Sequence, residues 1–197
     1  MSRVIHPIER ESYAIVRQRA PTAALPPWTR AVTERVIHAS ADPGYLTDLV
    51  ADEEALAAGA RALRAGAPVV ADSAMVAAGI TSRQVSCLVR DPRAAALAAR
   101  AGITRSAAGI RLALSGAGPG AVWVIGTAPT ALAGLLTLGA DPALVIGLPV
   151  GFVGAAEAKR ALRESGLPAL SNRSEKGGAA VAAAALNALL YGPEATP

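Results

Sequence analysis

The sequence predicts an α/β fold of three layers, helices on both faces of a mainly parallel sheet, with an N-terminal helical segment before it. Three observations carry that prediction. From residue 68 onward, short apolar runs rich in Val and Ile alternate with helix-forming stretches, the order that winds a parallel sheet. Before that point the chain reads as helix alone. Hydrophobic residues make up 52% of the 197 residues, against 17% charged and 3% aromatic. Such a core is built from Ala, Val, Leu and Gly and suits close helix-on-sheet packing. One domain over residues 1–197 is expected at this length, with the tail GPEATP fraying from about residue 192.

Pro7 opens the first helix, IERESYAIVRQRA, where Ile8, Ser12, Ile15 and Arg19 share a stripe with Val16 beside it. The second helix, PWTRAVTERVIHA, turns Val32, Val36 and Ala39 to one side and sets Arg35 and His38 together at i, i+3. In DEEALAAGARALRAG, acids in the first turn and Gly66 mark start and stop. Strands are expected at PVVAD (68–72), VSCLV (85–89), AVWVIG (121–126), ALVIGL (143–148) and PALS (168–171), short runs of the kind that fill a buried parallel sheet. Helices fall between and after them, at PRAAALAARAG, RSAAGIRLALSG, APTALAGLLTLG, AAEAKRALRESG and GGAAVAAAALNALLY. Residues 121–140 carry no charge and approach the length of a membrane span. Gly126 and Pro129 divide that stretch into a β-branched half and a helix-forming half, so strand, turn and helix are expected and no membrane association.

The net charge of +4 comes from 19 basic and 15 acidic residues spread along the chain. With few aromatic faces for base stacking, this balance suits a polyanionic small molecule and no nucleic acid. The single cysteine, Cys87, has no disulfide partner in the chain and reads as a small buried hydrophobe. The start, MSRVIHPIERESY, lacks an apolar leader core, so a cytoplasmic protein is expected. No cysteine and histidine spacing suggests a metal site, and no nucleophile elbow is present. The glycine cluster SGAGPGA (115–121) precedes a strand and therefore fails the order a dinucleotide loop needs. EKGGAAVAA has the right order and two readings: Gly177 and Gly178 present amides to an anion beside Lys176, or they let a helix approach the sheet closely. A ligand crevice is expected beyond the strands' carboxyl ends, at Asp72–Ser73, Arg90–Asp91, Gly126–Thr127, Pro149–Gly151 and Ser171–Asn172. His38 is the remaining candidate for proton transfer, since an imidazole titrates near ~6.5, although a lone helical histidine is more often structural.

The strings RVIHASAD, ADSAMVAAGIT, LVRDPR, TRSAAGIRL, GTAPTAL, PVGFVGAAEAK and KGGAAVAAAALNALL, taken in order, make the chain resemble the precorrin-8X methylmutase (cobalt-precorrin-8 methylmutase) family from about Ile8 to Leu190. The resemblance implies an α/β homodimer that needs no metal or nucleotide cofactor. It implies an isomerase of cobalamin biosynthesis that moves a methyl group from C-11 to C-12 of precorrin-8X, or cobalt-precorrin-8, giving hydrogenobyrinate or cobyrinate. The alternative is a non-catalytic corrinoid-binding or carrier protein. By the same resemblance His38 is the catalytic proton donor or acceptor, and Ser12, Arg35, Thr81 and Arg105 contact the tetrapyrrole substrate. Guanidinium forks at Arg35 and Arg105 match a rim of carboxylates. Plainer roles stand beside these: Ser12 bonding back to the Ile8 carbonyl, Arg35 as a solvated neighbour, Thr81 or Ser106 as helix caps. Two positions depart from the family pattern, Ser40–Ala41 after VIHA and Thr127 where GTAPTAL replaces an asparagine.

Overall fold

A computed structural model describes residues 6–195. The N-terminal segment forms α1 (Pro7–Arg19), α2 (Pro27–Ser40), the short α3 (Tyr45–Asp48) and α4 (Glu53–Arg64). Each start has a local cause. Pro7 and Pro27 lie in first turns, where a missing N–H costs nothing. Asp52 caps α4 by accepting from the amides of Glu54 and Ala55. Helix α2 ends at Ala41 in the left-handed conformation, φ 54°, while the Ser40 hydroxyl donates to the Val36 carbonyl. That turn accounts for two small residues after VIHA.

The sheet contains β1 (Leu49–Ala51), β2 (Val69–Ala71), β3 (Ala121–Ile125), β4 (Pro142–Gly147) and β5 (Ala169–Asn172), in the order β1-β5-β4-β3-β2. Strands β2 to β5 pair in parallel, and β1 runs antiparallel along β5. The expected strand at 85–89 does not form. Only Ser86 bridges to Val70, and by Asp91 the chain has turned to cap α6 (Pro92–Ala101). The Asp91 amide bonds the Leu88 carbonyl, so Arg90–Asp91 is a turn and no strand end. The sequence reading also passed over β1, three residues long, and α5 (Ala74–Gly79), which is capped by Ser73.

Parallel strands taken in sequential order send their crossovers to one face. Helices α7 (Arg105–Ala117), α8 (Pro129–Thr137) and α9 (Ala155–Glu164) pack side by side there, over a cluster containing Val70, Trp123, Ile125 and Val145. The alternate residues Val69, Ala71, Val122, Val124, Leu144 and Ile146 face the other side, as a strand's two-residue period requires. That face is covered by α4 and by α10 (Ala179–Tyr191), and α2 lies across α10. Helix α10 is buried from Val181 through Leu189, which explains a segment apolar on every side. Pro193–Ala195, where fraying was expected, form a 3-10 turn against α2 and α10, and Thr196 and Pro197 lie outside the described residues. No helix among the described residues is long and apolar enough to cross a membrane.

Candidate active site

Sequential strand order leaves no switch point among the parallel strands, and the polar groups at the carboxyl ends of β2 and β3 bond to one another. The buried Asp72 carboxylate accepts the amides of Gly126, Thr127 and Ala128 at 3.0, 2.9 and 2.8 Å. Burial nevertheless pushes its pKa up against those bonds. The Thr127 hydroxyl, at the position of departure, pairs with Ser73 at 2.7 Å and so ties two strand ends together. Of the two readings of Gly177 and Gly178, close packing is the one the backbone shows. At Gly177, φ +154°, a Cβ would collide with the carbonyl oxygens of Leu148 and Pro149, and the Gly178 amide is spent on Leu148. Lys176 is ion-paired with Asp42 at 2.8 Å.

The site gathers instead one helix layer out. On α1, Ser12 is presented beside His38 of α2, its hydroxyl 2.8 Å from Nδ1. The back-bond to Ile8 is therefore not its role. His38 is exposed and borders two clefts. One, about 350 Å3, is lined by the α1 stripe of Ile8, Ser12, Ile15, Val16 and Arg19 together with Ala41 and Pro43. The other, about 250 Å3, includes Arg35, Gly79, Ala180, Ala183 and Asn187. Asn187 donates to the Gly79 carbonyl at 2.8 Å, and its buried Oδ1 has no partner among the described residues.

Two tyrosines that sequence reasoning missed join the predicted residues. The buried Tyr13 ring stacks on His38, centroids 4.9 Å apart and planes 12° from parallel. Arg35 lies over the Tyr191 ring, 4.9 Å from its centroid, with Nη1 3.4 Å from the Tyr13 hydroxyl and 3.8 Å from Glu9. The Tyr191 hydroxyl is 2.9 Å from Thr81 Oγ1, so Thr81 is no helix cap. Ser12, His38, Arg35 and Thr81 thus form one chain of contacts. The spacing of Tyr13 next to Ser12 was the available signal; for Tyr191, 110 residues from Thr81, there was none.

Arg105 is not brought to this chain. It opens α7 on the opposite face of the sheet and makes no side-chain hydrogen bond or ion pair among the described residues. Thr104, not Ser106, caps that helix and bonds Thr130 at 2.7 Å.

Beneath the site, α1 is fastened to α2 by Glu34, fully buried, which accepts from Arg17, Arg30 and Thr22. Burial opposes its charge, but those bonds outweigh it and hold the carboxyl below its ordinary pKa. A second hub fixes the loop that opens α10. Lys159, buried on α9, donates to Asn172, Ser174 and Lys176. Asp48 accepts from Asn172, Arg173 and Ser174, bonds that outweigh burial and keep its pKa low. Desolvation brings the lysine down to about 8. Among the described residues no group of three His, Cys, Asp or Glu side chains could hold a metal ion.

The model of the precorrin-8X methylmutase family matches residues 7–192. A precorrin-8X methylmutase of a Sinorhizobium species is 41% identical over 194 residues, covering 92% of each chain. A cobalt-precorrin-8 methylmutase of Methanothermobacter thermautotrophicus is 41% identical over 189 residues, covering 93% of this chain and 91% of its own. The crystal structure of precorrin-8X methyl mutase from Thermus thermophilus superposes with a TM-score of 0.84 at 37% identity, over 94% of this chain and 96% of that one. These names give no support to a carrier. Matched in sequence and in fold along almost its whole length, the chain belongs to the precorrin-8X methylmutase family, isomerases of corrin biosynthesis.

Proposed function

We propose that this protein moves a methyl group from C-11 to C-12 of precorrin-8X or its cobalt form, with His38 as the acid–base group. An isomerisation leaves the composition of its substrate unchanged, so a proton lent to the macrocycle must come back. An imidazole titrates in the range where it can do both. The observation that carries the reading is the Ser12–His38 pair on the wall between two clefts, with Arg35 reached through Tyr13 and Thr81 beyond it through Tyr191. Ser12 sets the ring's orientation, and Arg35, held between two tyrosines, offers its fork to a substrate carboxylate. Relatives of both names are equally similar, and the family reading covers both substrates.

The clefts, about 350 and 250 Å3, are small for a tetrapyrrole. We infer a homodimer that encloses the substrate between subunits, supported by the apolar tip Val150, Phe152 and Val153, of which Phe152 is 95% exposed. Arg105 contributes in that assembly as a second carboxylate ligand. We infer that the reaction runs in the cytoplasm, with which the lone, half-buried thiol of Cys87 agrees.

Mixing the protein with precorrin-8X and following the absorbance tests the activity, because the shift changes the conjugation. Conversion at catalytic protein concentrations is expected. A coloured complex that never turns over would overturn the proposal in favour of a carrier.

A further inference from the structure

Resting on His38 as the acid–base group, we propose that Tyr13 is a positioning residue whose ring face sets how readily that imidazole holds its proton. Residues 12 and 13 are neighbours on α1, about 100° apart around the helix. One therefore reaches the edge of the imidazole and the other its face: Ser12 Oγ lies 2.8 Å from Nδ1, and the Tyr13 ring stacks at 4.9 Å with a 12° interplanar angle. Tyr13 has no solvent exposure, so the ring is fixed where it stands. The electron-rich face of a phenol ring favours the cationic partner, here the imidazolium, over the neutral one. A second link runs from the Tyr13 hydroxyl to Arg35 Nη1 at 3.4 Å, a distance that leaves the ring face as the main contribution.

Other charges surround the pair. From α1, Glu11 and Arg19 line the outer cleft, Glu9 meets Arg35, and Arg17 lies 5.9 Å from the Tyr13 centroid while bound to Glu34. From α2 and the turn after it come Arg35 itself and Asp42, the latter paired with Lys176. Substitutions confined to position 13 leave all of these in place, so a change in titration reads the ring.

The test follows the His38 imidazole by proton NMR across pH in the full-length protein, with His6, the only other histidine, assigned through His6→Gln. Four proteins are compared: the parent, Tyr13→Phe, Tyr13→Leu, and one carrying 3,5-difluorophenylalanine at position 13. The expected midpoint for Tyr13→Phe stays with the parent, kcat staying within about threefold. In Tyr13→Leu the midpoint falls by about 0.5–1.5 pH units and the acid limb of the kcat profile moves with it, KM changing little. The fluorinated ring keeps the shape but drains the face, so its midpoint falls below that of Tyr13→Phe. Should the leucine variant not fold, this isosteric comparison decides alone. Equal midpoints with and without an electron-rich ring would overturn the proposal, as would a loss in Tyr13→Phe equal to that in Tyr13→Leu, which would assign the effect to the hydroxyl. The titration needs no turnover, so a failure of the acid–base reading, seen as an active His38→Ala, is told apart from a failure of the stacking.

Discussion

Ser12 and His38 stand 26 positions apart, and their 2.8 Å bond exists only because α1 lies along α2. Removing the hydroxyl leaves packing intact and takes away its bond to the imidazole. Ser12→Ala is therefore expected to lower kcat about ten- to a hundredfold with an unchanged melting temperature; an unchanged kcat would remove Ser12 from the site. Glu34 is the residue that holds the two helices in this relation. Glu34→Ala strands Arg17 and Arg30 beside an emptied buried site, and urea unfolding should show a loss of about 3 kcal/mol. Because the folded carboxyl titrates below its unfolded value, its contribution is complete above the unfolded pKa and fades as pH falls through the folded one. The difference between parent and Glu34→Ala should accordingly narrow in acid.

Among the elements, the loop from Asn172 to Gly178 decides where α10 begins, and Lys159 decides where the loop lies. Its three ammonium donors meet three oxygens, so burial lowers its pKa to about 8 without leaving it unpaired. Between that value and the unfolded one, the unfolded chain binds more protons, so this group makes stability rise with pH, by up to about 1.4 kcal/mol per pH unit. Unfolding series from pH 8 to 10 should show that rise in the parent and a flatter profile in Lys159→Met; parallel profiles would refute it. The sequence showed elements most clearly where burial is complete. Strands β3 (AVWVI) and β4 (PALVIG) are unbroken apolar runs because both their faces are covered. The run at 85–89, VSCLV, is interrupted by Ser86, lies at the edge beside β2 with a single bridge, and gives way to the Asp91–Pro92 turn that caps α6, so Asp-Pro was the local signal against a strand there. For β1 the reverse holds, since three residues gain their identity only from pairing with β5. Of the candidate site, His38, Arg35 and Thr81 stand in the family strings and Ser12 in the first helix, and the fold joins these four in one chain of contacts while leaving Arg105 apart. Of the tyrosines that join them, Tyr13 was signalled only by its place beside Ser12, and Tyr191 not at all, because a contact across helices leaves no spacing to read.

At the scale of the whole molecule, a sheet wound in one direction sends its crossover helices to one face and leaves the other to the chain's two ends. That is why the N-terminal segment exists as a separate layer and why the acid–base candidate rides on it instead of at the sheet edge. The proposed homodimer would give this open surface a second wall, and the exposed Phe152 and Val153 are the apolar side chains it would bury. Under that homodimer, Phe152→Asp together with Val153→Asp is expected to sediment as a monomer where the parent sediments as a dimer; a double variant that still dimerises as tightly as the parent would overturn this face as the interface. The central claim remains that His38 moves the proton. Its most direct test is single-turnover absorbance of precorrin-8X with His38→Ala against the parent, each first shown by circular dichroism to be folded. The account predicts a bound, coloured substrate whose conversion is slowed about a hundred- to ten-thousandfold. Conversion by His38→Ala at the parent's rate would contradict it.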